Sequence, residues 1–273
     1  MEVKIMNTPK TRPIPILMYH SISNEASPAF KPYTVAPEMF EKHLAYLSQH
    51  DYCALTVTQL AAILAKPVPA AELPPRPIVL TFDDGFEDFY TCAWPALQRF
   101  KLPATLYVVA GGVGGTSTWL KREGESRRRM LSWDQLAELC AGGIECGGHS
   151  LTHPQLDLLP ASRASREIID CKLMLEEKLG RKIYSFAYPH GYHTRSIQRM
   201  VREAGYSSAC AVKYAMSATN DDIWGLSRLF VSNQVDEQRL GQLLTGQNNP
   251  LIGPVKRWLA PAWRLKRRLA SNN

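Results

Sequence analysis

Short runs of apolar and β-branched residues recur along the chain, separated by longer stretches in which apolar positions repeat every three or four residues. The short runs predict strands at Ile14–Tyr19, Ile78–Phe82, Ala104–Val109, Ile144–Cys146, Tyr184–Tyr188, Ser208–Val212 and Leu229–Val231. The longer stretches predict helices at Pro37–His50, Thr58–Ala65, Asp88–Phe100, Trp133–Cys140, Ser162–Leu179 and Arg195–Ala204. Local signals agree with several of these boundaries. Ser132 with Gln135 forms a capping box before the fourth helix, and Gly180 stands where the fifth should stop.

Strands this short and this uniformly apolar are explained best as parallel strands covered on both faces. Seven such units in a chain of 273 residues suggest a β/α barrel more than an open sheet. No G-x-G-x-x-G follows a strand, and the glycines at 111, 112, 114 and 115 lack that spacing, so they are read as a loop. Residues 111–130, which include Arg127-Arg128-Arg129, form a polar excursion at one end of the barrel.

Composition narrows the function classes. At 45% hydrophobic and 21% charged residues the chain is ordinary for a folded globular protein. No apolar run reaches the roughly 18 residues of a membrane span, and residues 1–15 lack the apolar centre of a signal peptide. Six cysteines without a C-x-x-C pair, most of them in apolar runs, read as buried thiols. These features set the expectation of a cytoplasmic protein.

The net charge of +7 is localised. After Glu237 there is no acid, while Arg239, Lys256, Arg257, Arg264, Lys266, Arg267 and Arg268 supply seven positive charges, which leaves 25 bases against 25 acids in the rest. A neutral body offers no basic groove, so nucleic acid is not an expected partner. We divide the chain into a catalytic barrel, residues 1–240, and a basic amphipathic segment, residues 241–273. That segment, with Trp258 and Trp263 among its bases, suits either an anionic membrane surface or a terminal helix packed on the barrel.

Four motifs carry chemistry, each at a predicted strand end. Thr81-Phe82-Asp83-Asp84-Gly85 places two successive carboxylates after a buried strand, where β/α barrels keep their active sites. His149 and His153 in Gly147-Gly148-His149-Ser150-Leu151-Thr152-His153 are four apart, and one helical turn would direct both imidazoles the same way. Two histidines and a carboxylate leave metal positions open for water and substrate. The third motif is Ala187-Tyr188-Pro189-His190-Gly191-Tyr192-His193, and the fourth is a first strand ending in Tyr19-His20. His43 and His50 lie on an amphipathic helix and are read as structural.

T-F-D-D-G at 81–85 and H-S-x-x-H at 149–153 resemble the first two signature motifs of the polysaccharide deacetylases, the NodB-like carbohydrate esterases of family four. The resemblance runs from about Ile14 to Val231 and implies an α/β fold, a distorted, incomplete (β/α) barrel of about seven strands. It also implies metal binding by Asp84, His149 and His153, with Asp83 as base. The metal is expected to be zinc, although iron, cobalt or nickel suit the same ligands. By the same resemblance a backbone N–H at His190 stabilises the oxyanion. Tyr188, Tyr192 and Trp224 are candidate stacking residues for a sugar ring.

The chain departs from the family pattern twice. Ala187 stands where an arginine usually opens the third motif, and Arg228 is the candidate to supply that guanidinium instead. No histidine follows His193, so the late acid histidine is missing; the N-terminus instead resembles the rearranged branch typified by poly-N-acetylglucosamine deacetylases, which makes His20 the candidate acid and His193 the runner-up. The function implied is metal-dependent removal of an acyl group, acetyl first, from an N-acylated sugar of a polysaccharide, oligosaccharide or lipid-linked saccharide. The alternatives are an amidase of a non-sugar small molecule and a non-catalytic saccharide-binding protein on the same fold.

Overall fold

A computed structural model describes residues 12–66, 69–212 and 215–246. Its centre is a curled parallel sheet whose strands are β1 (Ile16–Tyr19), β2 (Cys53–Leu55), β3 (Pro77–Phe82), β4 (Thr105–Val108), β5 (Glu145–Gly148), β6 (Ser185–Ala187), β7 (Ser208–Cys210) and β8 (Leu229–Phe230). Seven of them follow one another in the order β7-β6-β5-β4-β3-β1-β8, an incomplete barrel as the motifs imply. Beyond that path, β2 pairs with the first half of β3 (Leu55 opposite Val79), and β4 pairs with the second half (Phe82 opposite Leu106). The sequence reading missed β2, because three residues are too few to show a period.

Among the described residues seven helices of seven residues or more cover the sheet: α1 (Pro37–Gln49), α2 (Val57–Leu64), α3 (Trp94–Phe100), α4 (Trp133–Ala141), α5 (Ala161–Leu179), α6 (Arg195–Glu203) and α7 (Glu237–Thr245). Strand residues alternate between two cores. Leu17, Ile78, Leu80, Leu106 and Phe186 face most of the helices, whereas Ile16, Val79, Tyr107, Ala187 and Cys210 pack with Val57 and Leu60 of α2. Burial on both faces explains why these strands read as continuous apolar runs. The capping box of Ser132 and Gln135 forms, as does the left-handed stop at Gly180.

Two boundaries differ from expectation for local reasons. The helix expected from Asp88 opens as a π-helical turn at Phe89–Ala93, because Pro95 has no N–H for an ordinary helical bond. Strand β5 extends through Gly147 and Gly148, since a side chain on either would have no room. A Cβ on Gly147 would lie 2.6 Å from the Tyr107 ring, and one on Gly148 would meet Tyr206 Oη. The unpredicted helix α7 runs across residue 240 and buries Leu240 and Leu244, while residues 247–273 of the basic segment lie outside the described residues. Among the described residues no helix is long and apolar enough to cross a membrane.

His43 and His50 are structural, as read. His50 Nδ1 bonds Tyr46 O, and the buried His43 ring joins Tyr19 Oη at 3.2 Å to Val235 O at 2.8 Å. Burial holds the His43 pKa below 6.5, against the pull of the Val235 carbonyl and of Glu237 and Asp236. Neutral His43 therefore contributes its full stability above the unfolded pKa, and this is lost as pH falls through the folded one. Urea unfolding at pH 7.5 and 5 should show a smaller acid-induced loss in His43→Gln than in the parent. Gly147→Ala should cost about 1–3 kcal/mol in the same assay at pH 7.5, as overpacking does.

Candidate active site

The C-terminal ends of β1, β3, β5 and β6 converge and carry His20, Asp83, His149 and Tyr188 as their next residues. β3 delivers the acid pair. Asp83 N–H still bonds Tyr19 O across the ladder at 3.0 Å, so this carboxylate is fixed to the sheet. Asp84 then turns into the left-handed region at φ 75° and Gly85 at 87°, which sends the two neighbouring side chains in different directions. Both carboxylates are buried, at 3% exposure each.

The histidines meet by a route other than the helical turn expected from their spacing. Residues 149–153 form a loop in which Ser150 (φ 65°) and His153 (φ 63°) are left-handed, and Ser150 Oγ accepts the His153 N–H at 2.9 Å. Glu167 of α5 holds the loop from outside. Its carboxylate accepts Thr152 N–H at 2.8 Å and Thr152 Oγ at 2.7 Å. Such left-handed residues carry strain and persist only where their surroundings over-determine them.

The outcome is a cluster of Asp84, His149 and His153 whose donor atoms all lie within 4.8 Å of one another. Asp84 Oδ1 is 3.7 Å from His149 Nε2 and 3.3 Å from His153 Nε2. Two ligand atoms sharing a zinc ion tetrahedrally, at bonds of roughly 2.0–2.1 Å, would stand about 3.4 Å apart. His149 Nδ1 lies 2.8 Å from Ala187 O, a bond that puts the proton on Nδ1 and leaves Nε2 a free lone pair. Asp84 Oδ1 is buried with no hydrogen-bond partner among the described residues. A bare carboxylate oxygen facing two imidazole nitrogens fits a divalent cation.

Arg228 enters from the start of β8, fully buried, and grips Asp83 with two bonds, Nη1 to Oδ1 at 2.6 Å and Nη2 to Oδ2 at 2.7 Å. Its Nε reaches Ala211 O at 3.3 Å and Nη1 reaches Thr81 Oγ1 at 3.2 Å, while the guanidinium stands 5.5 Å from the Tyr107 ring centre. Burial alone would raise the Asp83 pKa, but the guanidinium more than reverses this and keeps the group ionised. Burial first and the Asp83 charge second push the Asp84 carboxyl the other way. Burial also lowers His149 to about 4, so the imidazole is neutral and available as a ligand.

His20 faces the same space. Its ring sits edge-on to Tyr33 and Phe230, at 5.2 and 5.8 Å, and it feels the charges of Asp83, Arg228, His149 and His190. Burial, opposed by Asp83, lowers its pKa to about 4. His193 instead stacks on Tyr188 at 4.5 Å.

The third motif divides. His190 is left-handed (φ 57°), and its ring centre is 4.7 Å from that of His153 and 6.3 Å from that of Tyr192. Tyr188 cannot be a stacking wall. Its ring is 0% exposed between Phe186 and His193, and its hydroxyl donates to Trp224 O at 2.9 Å. Trp224 is half-buried against the core. Two aromatics escaped the sequence reading: Tyr33, 40% exposed beside His20, and Trp119, 5.4 Å from His153. Neither stands in a motif, and only the folding of loops 23–35 and 111–130 over the barrel mouth brings them there.

A family model described as polysaccharide deacetylase matches residues 70–209. YxkH of Bacillus subtilis (strain 168) is 25% identical over 227 residues, 83% of this chain and 74% of that protein. The poly-beta-1,6-N-acetyl-D-glucosamine N-deacetylase of Staphylococcus aureus (strain MSSA476) is 24% identical over 221 residues, 78% of this chain and 72% of that one. The Streptococcus pyogenes deacetylase PplD, solved in complex with acetate, superposes with a TM-score of 0.72 at 25% identity, covering 85% of this chain and 98% of that one.

Removing one partner of a buried ion pair strands the other charge, at a cost of about 3–5 kcal/mol. Arg228→Ala should lower unfolding stability by that amount. The double variant Arg228→Ala, Asp83→Asn should recover a large part of it in the same denaturation assay.

Proposed function

Because the chain belongs to the polysaccharide deacetylase family, we propose that it hydrolyses the amide of an N-acetylated glucosamine unit in a saccharide, with Asp83 as base and His20 as acid. The observation that carries this reading is the Arg228-gripped carboxylate of Asp83 standing beside the Asp84, His149 and His153 cluster. The choice of sugar rests on the Staphylococcus aureus relative.

Asp84, His149 and His153 would hold a divalent metal, for which zinc is proposed. When bound, it supplies Lewis acidity toward the acyl oxygen and makes water more acidic. Asp83, kept ionised by Arg228, takes the proton from the attacking water, each of its oxygens retaining a lone pair beyond the one given to the guanidinium. Hydroxide adds to the acyl carbon, and the His190 backbone N–H is the proposed oxyanion donor. The C–N bond then breaks as the nitrogen receives a proton from His20, giving carboxylate and amine. With its pKa near 4, His20 is neutral at rest, and the proton it gives to the nitrogen is the one that Asp83 took from the water, whose passage to His20 returns Asp83 to its ionised form. Tyr33 and Tyr192 are proposed to contact the sugar. The cytoplasmic address and a membrane contact of residues 255–269 belong to the same proposal and rest on composition alone.

The test is metal content together with amine release from a panel of N-acetylated saccharides. Asp83→Asn and His20→Ala should each keep the metal and lose about 10²–10⁴ in turnover. His149→Ala should lose the metal itself. An Asp83→Asn variant as active as the parent would sink the assignment of the base. Metal-loaded protein that releases no amine from any saccharide would point to a non-sugar amide.

A further inference from the structure

Among the described residues nothing polar holds the His20 ring in place. Its packed neighbours are the edges of Tyr33 and Phe230, and its buried Nδ1 has no hydrogen-bond partner. Its position is therefore set by the backbone on either side. Below, β1 is laced to β3. Above, Ser21 and Ile22 pair with Thr34 and Val35, and the side-chain hold that ties them to the acid-pair loop comes from Asp88, four residues beyond Asp84. Asp88 Oδ2 accepts the Ser21 hydroxyl at 2.7 Å and Oδ1 accepts the Ile22 N–H at 3.0 Å, so both residues after His20 hang on one carboxylate.

Arg128 closes this junction from the 111–130 excursion. Its Nη1 donates to Asp88 Oδ2 and Ser21 Oγ, each at 3.1 Å, and Nη2 donates to Glu25 O at 2.7 Å. Glu125 lies 3.3 Å from its Nε, and the guanidinium sits over Phe30 at 5.0 Å and Phe86 at 5.6 Å. The Arg128 and Asp88 side chains are only 11% and 13% exposed, so water screens the pair weakly. Backbone bonds from Glu87 to Arg129 and from Leu131 to Gly85 fasten the same excursion to the acid-pair loop.

We propose that Asp88, clamped by Arg128, is a positioning residue that fixes His20 against the acid pair. The proposal rests on His20 being the acid of the reaction above. One loop then carries base and metal ligand at its start and, at Asp88, the group that places the acid. A shift of about 1 Å in such a group can cost 10²-fold in rate.

The experiment measures turnover of an N-acetylated glucosamine oligomer and of 4-nitrophenyl acetate, whose leaving group departs without a proton. Asp88→Asn should lower amide turnover about 10–100-fold, keep the metal and leave ester turnover within about twofold. Added to His20→Ala, it should lower amide turnover no further, because the two changes act through one group. Ser21→Ala, which removes the hydroxyl bonds to Asp88 and from Arg128 but keeps the Ile22 N–H bond to Asp88, should show the same split in weaker form and serves if Asp88→Asn does not fold. An equal loss on ester and amide, or a full further loss in the His20→Ala background, would make Asp88 merely structural. Amide turnover that survives His20→Ala would instead overturn the acid assignment and this proposal with it. The double-variant comparison decides alone if the ester is not turned over.

Discussion

Two carboxylates on successive residues, both removed from water at the end of a central strand, are the constraint around which this barrel is organised. An unpaired buried charge costs several kcal/mol, so each must be compensated, and the chain does so differently for the two. Asp83 receives a bidentate guanidinium from Arg228, which also donates to Thr81 and a backbone carbonyl. Asp84 receives no hydrogen to its Oδ1 and faces two neutral imidazoles. The asymmetry separates the two carboxylates, with one kept ionised by a guanidinium and the other left bare before two imidazole nitrogens.

Meeting that constraint loads the loops at the barrel mouth. Asp84, Ser150, His153 and His190 are all left-handed without being glycine, and all lie in the site. Each such residue costs of the order of 1–3 kcal/mol and is tolerated only when its surroundings leave no alternative. The surroundings here are buried polar anchors set back from the cluster. Glu167 holds the histidine loop, Asp88 with Arg128 holds the loop after His20, and Tyr188 pins the chain at Trp224. The sheet beneath gives these loops a rigid base, and Gly147 and Gly148 let Tyr107 and Tyr206 pack directly against β5 just before His149.

Much of this was legible in the residues. The strands leading to His20 and Asp83 are almost wholly apolar because both faces are buried, and that pattern survives in the sequence. Glycine and capping signals placed the helix ends within a residue or two. What escaped had no periodic trace. β2 is three residues long, the π-helical turn depends on one proline, and α7 was passed over because its apolar positions are few. The burial of Tyr188 is illegible for a different reason, since an aromatic beside a motif reads alike whether its ring is exposed or covered.

The order of residues settles the chemistry available at each strand end: the acid pair, the histidine pair, the histidine after β1, and the absence of an arginine at Ala187. Those are local, because strand termini and turns are specified by neighbours. The tertiary structure alone decided which groups meet across long chain separations. Arg228 reaches Asp83 from 145 residues away, and Arg128 reaches Ser21 from 107. Arg228 stands out in the sequence only as a substitute for the arginine missing at Ala187, and nothing local distinguishes Arg128 from the other arginines; the closing curl of the sheet and the fold of the excursion over the barrel mouth bring each to its carboxylate.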